Sequence, residues 1–149
     1  MGAGDRGRDR GRGPLAAGSH ALSTGRQVLV AVYAVFALAA GARSAVQLLT
    51  KGDEAPLAYA LSLVAALIYL VATLALRQTT APAHRVAFAA CAFELGGVLT
   101  VGTLTVLDPE LFSDQTVWSV YGAGYGFVPL VLPVAGLWWL HRHPPEPLR

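Results

Sequence analysis

Cysteine is almost missing from this chain: Cys91 is the single one in 149 residues. An intramolecular disulfide is therefore excluded, and so is redox chemistry that needs a dithiol. Charge is scarce as well. Asp, Glu, Lys and Arg make up 13% of the residues, where a soluble domain carries about 25%. No histidine lies in a long apolar stretch, since His20, His84, His141 and His143 all fall outside them, so no pair is placed to ligate a haem inside a membrane. His141 and His143 in a tail fall short of a metal site. No GxSxG, HExxH or P-loop pattern occurs. No catalytic residue, metal or other cofactor is assigned on these grounds, and a non-enzymatic protein is expected.

What fills the chain instead is apolar. Hydrophobic residues make up 54% of it, and the mean hydropathy is +0.51. They gather in four stretches, which predict a four-helix transmembrane bundle of all-α class. The spans are expected at about 27–49, 57–76, 86–106 and 120–140, with a tail at 141–149. At 1.5 Å per residue the first would be ~34 Å long, enough for a hydrocarbon core of ~30 Å. Arg26 followed by VLVAVYAVFALAA also fits a signal peptide cleaved near Ala39. The apolar run resumes after Arg43 as SAVQLL, and the basic region before it is long, which favours a retained span.

Residues 1–26 are different material. The run GDRGRDRGRGP is low in complexity and has almost nothing to bury, so disorder is expected. Its Arg6, Arg8, Arg10, Arg12 and Arg26 against Asp5 and Asp9 make five minus two, or +3. Such a tail is drawn to anionic lipid headgroups by about 1 kcal/mol per basic residue. The plainer reading is a solvated tail that fixes orientation. No aromatic residues interleave with the arginines, so nucleic acid is not an expected partner.

Orientation follows from where the basic residues lie. The amino tail, the 77–85 loop and the carboxyl tail hold five, two and two of them, nine in all; the 50–56 and 107–118 loops hold one and none. With four spans those sums fall on opposite faces, and both termini are expected to be cytoplasmic, in the cell membrane. Tyr59 and Trp118 then lie near the outer boundary and Trp138 and Trp139 near the inner one.

Polar groups within the spans mark the candidate site. Glu94 lies nine residues past Arg85, ~14 Å from the inner boundary. Its helical neighbours are the small Ala87, Ala90, Cys91 and Gly97 with Val98, a face suited to close helix contact. Arg43 lies ~9 Å below the outer surface, with Gln47 one turn on. Ser62 and Tyr69 share one stripe of the second span. In the fourth, Gly122 and Gly126 are spaced as GxxxG for close helix packing. Pro129 and Pro133 are expected to kink that helix, freeing the carbonyls of Tyr125 and Pro129. These residues define an expected polar seam of Arg43, Gln47, Ser62, Tyr69, Glu94 and Tyr125. A direct Arg43–Glu94 bridge would have to close a ~10 Å difference in depth; a network through tyrosine, backbone or water is the other expectation. The Gly124-Tyr125-Gly126 triplet after Trp118-Ser119-Val120 resembles a potassium-channel filter, but the three intervening residues are too few for a pore helix.

The stretches AGARSAVQL at 40–48, AFELGGVLTVGTL at 92–104 and AGYGFVPLVLPVAGLWWL at 123–140 resemble uncharacterised small four-span membrane proteins of high-GC, actinobacterial-type bacteria. They cover about two-fifths of the chain. The resemblance implies an integral membrane protein and no particular activity. Small multidrug exporters also have four helices and one membrane glutamate, but theirs is in the first helix and this one is in the third. The leading expectation is an accessory or assembly protein in the lipid bilayer, self-associating or bound to another membrane protein. The alternative is a small transporter or proton-coupled carrier with Glu94 as its titrating group.

Overall fold

The computed structural model describes residues 15–145 and 147, with side chains described from Thr24 onward. The fold is all-helical. Helix α1 is Leu15–Lys51, α2 is Pro56–Leu76 and α3 is Ala81–Leu107; a 3-10 helix, Ser119–Tyr125, precedes α4, Val128–Arg142. Among the described residues there is no strand.

Helix α1 begins at Leu15, well before Gln27. The stretch expected to be disordered through residue 26 is therefore helical from 15 on, and residues 1–14 lie outside the described residues. The reason is compositional. Past Pro14 the Gly/Arg run gives way to LAAGSHALST, whose Ala and Leu are strong helix formers. The next boundary follows a simple rule: Pro56 opens α2, where its missing N–H costs no bond. The loop expected at 77–85 shrinks to 77–80. Thr80 caps α3 by accepting the Ala83 backbone N–H at 3.3 Å. Pro82 then sits in the first turn, where it starts a helix and interrupts none.

The helices are apolar outside and small or polar inside. On α2 the buried residues are Ala58, Tyr59, Ser62, Ala65, Ala66, Tyr69, Ala72, Thr73, Ala75 and Leu76, while Leu57, Leu63, Val64, Leu67, Leu70, Val71 and Leu74 are exposed. Water would drive the large residues inward. Lipid gives them no reason to hide, and small residues let backbones approach closely. The Thr24–Lys51 part of α1, α2 and α3 are each long and apolar enough to cross a membrane.

The fourth stretch departs from expectation. It is not one helix over 120–140: the 3-10 helix meets α4 at a bend of 100°. The 15 residues of α4 reach only ~22 Å. Five residues at the break have positive φ, namely Val120, Tyr121, Gly122, Gly126 and Phe127. Gly122 and Gly126 thus serve as turn formers, and their GxxxG spacing packs no helix. Gly122, at φ +81°, lies against its own Pro129: a Cβ there would come within 2.7 Å of the proline ring. Pro129 opens α4 and breaks no helix hydrogen bond, so the expected kink at Tyr125 is replaced by this turn. Pro133 alone lies inside α4. Three non-glycine residues at positive φ cost roughly 1–3 kcal/mol each. Bonds to α2 and α3 hold them in place. Val117 N–H donates to Ser62 Oγ at 3.2 Å, Val120 N–H to Thr105 Oγ1 at 2.8 Å, and Thr103 Oγ1 meets the Tyr121 hydroxyl at 3.0 Å.

At the same end, the loop between α3 and the 3-10 helix is tied to α2. The Tyr59 hydroxyl donates to Asp114 Oδ2 at 2.9 Å, and the Gln115 N–H to Oδ1 at 2.7 Å. The Gln115 N–H first, and then the Tyr59 hydroxyl, hold the Asp114 carboxyl below the usual carboxylate range. A carboxylate held low stabilises the folded state above its unfolded value of about 3.9 and loses that contribution as pH falls through the lower folded value. Acidification below about pH 4 should therefore loosen this loop in the wild type. Asp114→Asn should flatten the response, read as tryptophan fluorescence against pH.

Candidate functional site

The buried face of α3 carries Ala87, Ala90, Cys91, Glu94 and Val98, at helical steps of three and four. Glu94 is the acid on that face, and it is 0% exposed. Helix α1 supplies its partner. The Tyr33 hydroxyl, also fully buried, donates to Glu94 Oε2 at 2.8 Å. Cys91 Sγ lies 3.3 Å from the same hydroxyl. With the phenol proton directed at Glu94, the thiol is the donor, so the order is Cys91 to Tyr33 to Glu94. Helix α4 closes the cluster through Gly136, where a Cβ would come 2.8 Å from Cys91 Sγ and 3.5 Å from the Tyr33 hydroxyl. Only a glycine lets that backbone approach so near.

From Tyr33 a file of rings runs toward the acidic end of the bundle. Tyr33 and Tyr69 have centroids 6.1 Å apart, Tyr69 and Phe36 6.0 Å, and Phe36 and Tyr125 6.1 Å. These spacings suit edge and tilted aromatic contacts. Arg43 stands at the far end. Its guanidinium donates to the Tyr125 hydroxyl and lies 5.7 Å from that ring's centroid, a cation–π contact.

The expected seam thus divides. Arg43 and Tyr125 pair, through the tyrosine side chain and not its carbonyl. Tyr69 stands between them and Glu94. No Arg43–Glu94 bridge forms: Arg43 is exposed, and four rings separate the two charges. Ser62 belongs to the turn before the 3-10 helix, where it accepts the Val117 N–H. Gln47 joins neither group; its Oε1 is buried without a protein partner. Gly97 is a packing residue as expected, but for a side chain. A Cβ there would meet the Trp118 ring at 2.7 Å.

The second oxygen of the acid, Glu94 Oε1, lacks a protein partner. Burying a carboxylate oxygen without a bond is costly, so the group must hold a proton, take a water or carry the strain.

Sequence reasoning missed Tyr33 and Gly136. Tyr33 was legible in principle. Among the described side chains of α1, the buried ones are Leu29, Tyr33, Ala40 and Ser44, spaced by four, seven and four. A stripe at that spacing, like the one carrying Ser62 and Tyr69 on the second span, puts Tyr33 on the inner face. Gly136 had no such signal, because its role depends on which helix lies opposite.

The fold and the site define a class: an all-helical protein with three helices long and apolar enough to cross a membrane, or four if the bent pair counts as one span. No protein-family model, curated protein or solved structure matches the chain.

Proposed function

We propose that this chain is an integral protein of the cell membrane that crosses it four times, the fourth crossing being the bent 3-10/α4 pair, with both termini cytoplasmic. Its work is that of a non-enzymatic accessory or assembly protein, self-associating or bound to another membrane protein. The inverted faces of α2 support the membrane reading. The charge distribution supports the orientation. Arg26, Arg77, Arg85 and Arg142 lie toward one end of the bundle, and Asp53, Glu54, Asp108, Glu110 and Asp114 toward the other.

The observation that carries the choice of role is the enclosure of Glu94. It meets Tyr33 in a closed contact with no exposed surface. A transported ion or solute needs a path to its site; a polar group that fastens helices does not. The second reading, a proton-coupled carrier, is favoured by one specific fact. Glu94 Oε1 is buried without a protein partner, and an intramembrane acid of that kind can take and release a proton.

Glu94→Gln separates the two. For an accessory protein, the variant inserts and associates as the wild type does, and proteoliposomes holding either protein show the same proton leak. Wild-type proton flux abolished by Glu94→Gln, with yield and oligomeric state unchanged, would establish the carrier and refute the accessory role. Orientation has its own check in a Cys91→Ala background. A cysteine at Ser113 should react with an impermeant maleimide in intact cells, and one at Arg77 only after lysis. The reverse pattern would sink the proposed orientation.

A further inference from the structure

A cavity of about 640 Å³ opens at the basic end of the bundle, between α1 near Arg26, the α2–α3 turn and the end of α4. Its two halves differ in chemistry. Leu76, Leu140 and the Trp139 ring make an apolar wall, and Arg26, His84 and Arg142 lie on the polar side. Among the described residues, every ionisable side chain lining it is arginine or histidine, and no carboxylate does. The walls are fastened. His84 Nε2 donates to the Leu140 carbonyl at 3.0 Å, tying α3 to α4. Within α4, the Arg142 guanidinium lies 5.0 Å from the ring centroid of Trp138, which is outside the cavity lining. Gly25 brings α1 so near Trp139 that a Cβ there would come 3.1 Å from Nε1.

We propose that this cavity binds the phosphate headgroup of an anionic glycerophospholipid, with the first carbons of an acyl chain along the apolar wall. Arginine presents paired donors that match phosphate oxygens. A free phosphate would use the polar half and leave the apolar half wet, whereas a lipid uses both. The place is also right. The cavity lies where α2 and α4 end, which is headgroup depth for a chain that spans the bilayer, and basic pockets between membrane helices at that depth suit anionic lipid. The inference rests on the membrane reading above, and it assigns a site distinct from Glu94 that takes in Arg26 but not Arg6, Arg8, Arg10 or Arg12.

The test uses the full chain in a neutral detergent, titrated with phosphatidylglycerol, phosphatidylcholine and inorganic phosphate and followed by native mass spectrometry and tryptophan fluorescence. Phosphatidylglycerol should bind saturably and the other two should not. Arg26→Gln and Arg142→Gln should each weaken that binding about tenfold. Arg77→Gln with Arg85→Gln, which removes two exposed arginines outside the cavity lining, should leave it unchanged. If Arg26→Gln does not fold, Arg142→Gln, at an exposed position, carries the comparison. Equal losses from the Arg77/Arg85 pair would mean diffuse surface charge, and equal binding of inorganic phosphate would mean a free-anion site; either overturns the proposal, as does the lack of saturable binding. Extraction of cell membranes with alkaline carbonate separates this from the parent reading. A chain that stays in the membrane yet binds no phosphatidylglycerol refutes the cavity site alone. A chain that washes off refutes the membrane reading, and the lipid site with it.

Discussion

Tyr33→Phe should destabilise the fold by about 1–3 kcal/mol, because it leaves a buried carboxyl group with no protein donor on either oxygen. Glu94 Oε1 already has none, and Tyr33 is the sole protein donor to Oε2 among the described residues. The ring contact with Tyr69 survives the change, so the loss reports the hydroxyl. An ordinary hydrogen bond between membrane helices averages only about 0.6 kcal/mol, and the larger figure comes from stranding the acid. Glu94→Gln should cost less, since an amide oxygen still accepts from Tyr33. The double variant Tyr33→Phe/Glu94→Leu should recover part of the loss, because removing both polar partners strands neither. Thermal denaturation in detergent measures the wild type, Tyr33→Phe, Glu94→Gln, Glu94→Leu and the double variant. If the double variant loses the sum of the Tyr33→Phe and Glu94→Leu losses, the residues are uncoupled and the proposed fastening of α1 to α3 is wrong.

The second large effect sets two adjacent glycines against each other. Gly96 and Gly97 are both in α3, and by composition alone they look alike. A Cβ at Gly97 would lie 2.7 to 3.1 Å from three atoms of the Trp118 ring, whereas one at Gly96 meets nothing within 4 Å. Trp118 is itself buried and cannot easily give way. Gly97→Ala should therefore cost about 1–3 kcal/mol through overpacking. Gly96→Ala should be neutral or stabilise by up to about 1 kcal/mol, the helix-propensity difference between alanine and glycine. Gly102→Ala should be at least as harmful as Gly97→Ala. There the new Cβ would come 2.8 Å from the backbone nitrogen of Tyr121 as well as against its ring. Backbone held by the bond from the Val120 N–H to Thr105 yields less than a side chain does. Melting curves with near-ultraviolet circular dichroism would show the effect on the aromatic seat. A Gly97→Ala protein as stable as Gly96→Ala would refute the seating of Trp118 on α3.

Both results depend on what crosses between helices, and that is where legibility in the sequence stops. The three long helices were readable because apolar length and breaking prolines are local properties. Their limits at Pro56 and Leu76 fall where composition places them. Glu94 was readable as an inward residue because its own helix neighbours are small. Its partner was not identified, since Arg43 stood out as the opposite charge and Tyr33 passed for part of an apolar run. The preference for Tyr33 has a physical basis. Tyr33 already faces α3 near the depth of Glu94, while Arg43, ten residues on in the same helix, is displaced along the axis by ~15 Å and finds Tyr125 nearer its own end.

The last stretch shows the division most plainly. Its composition established apolarity, three glycines at alternate positions and two prolines, and those properties suit either a kinked span or a turn followed by a short helix. Tertiary contacts decided for the turn. Ser62 and Thr105 offer oxygens to the backbone N–H groups of Val117 and Val120, and Gly97 and Gly102 open room for Trp118 and Tyr121. Membrane-compatible length and the sorting of charge between the two ends are written along the chain, because each depends on residues near one another in order. Which hydroxyl meets the acid, which ring covers the arginine and where the fourth stretch bends are settled by groups far apart in order and adjacent in space.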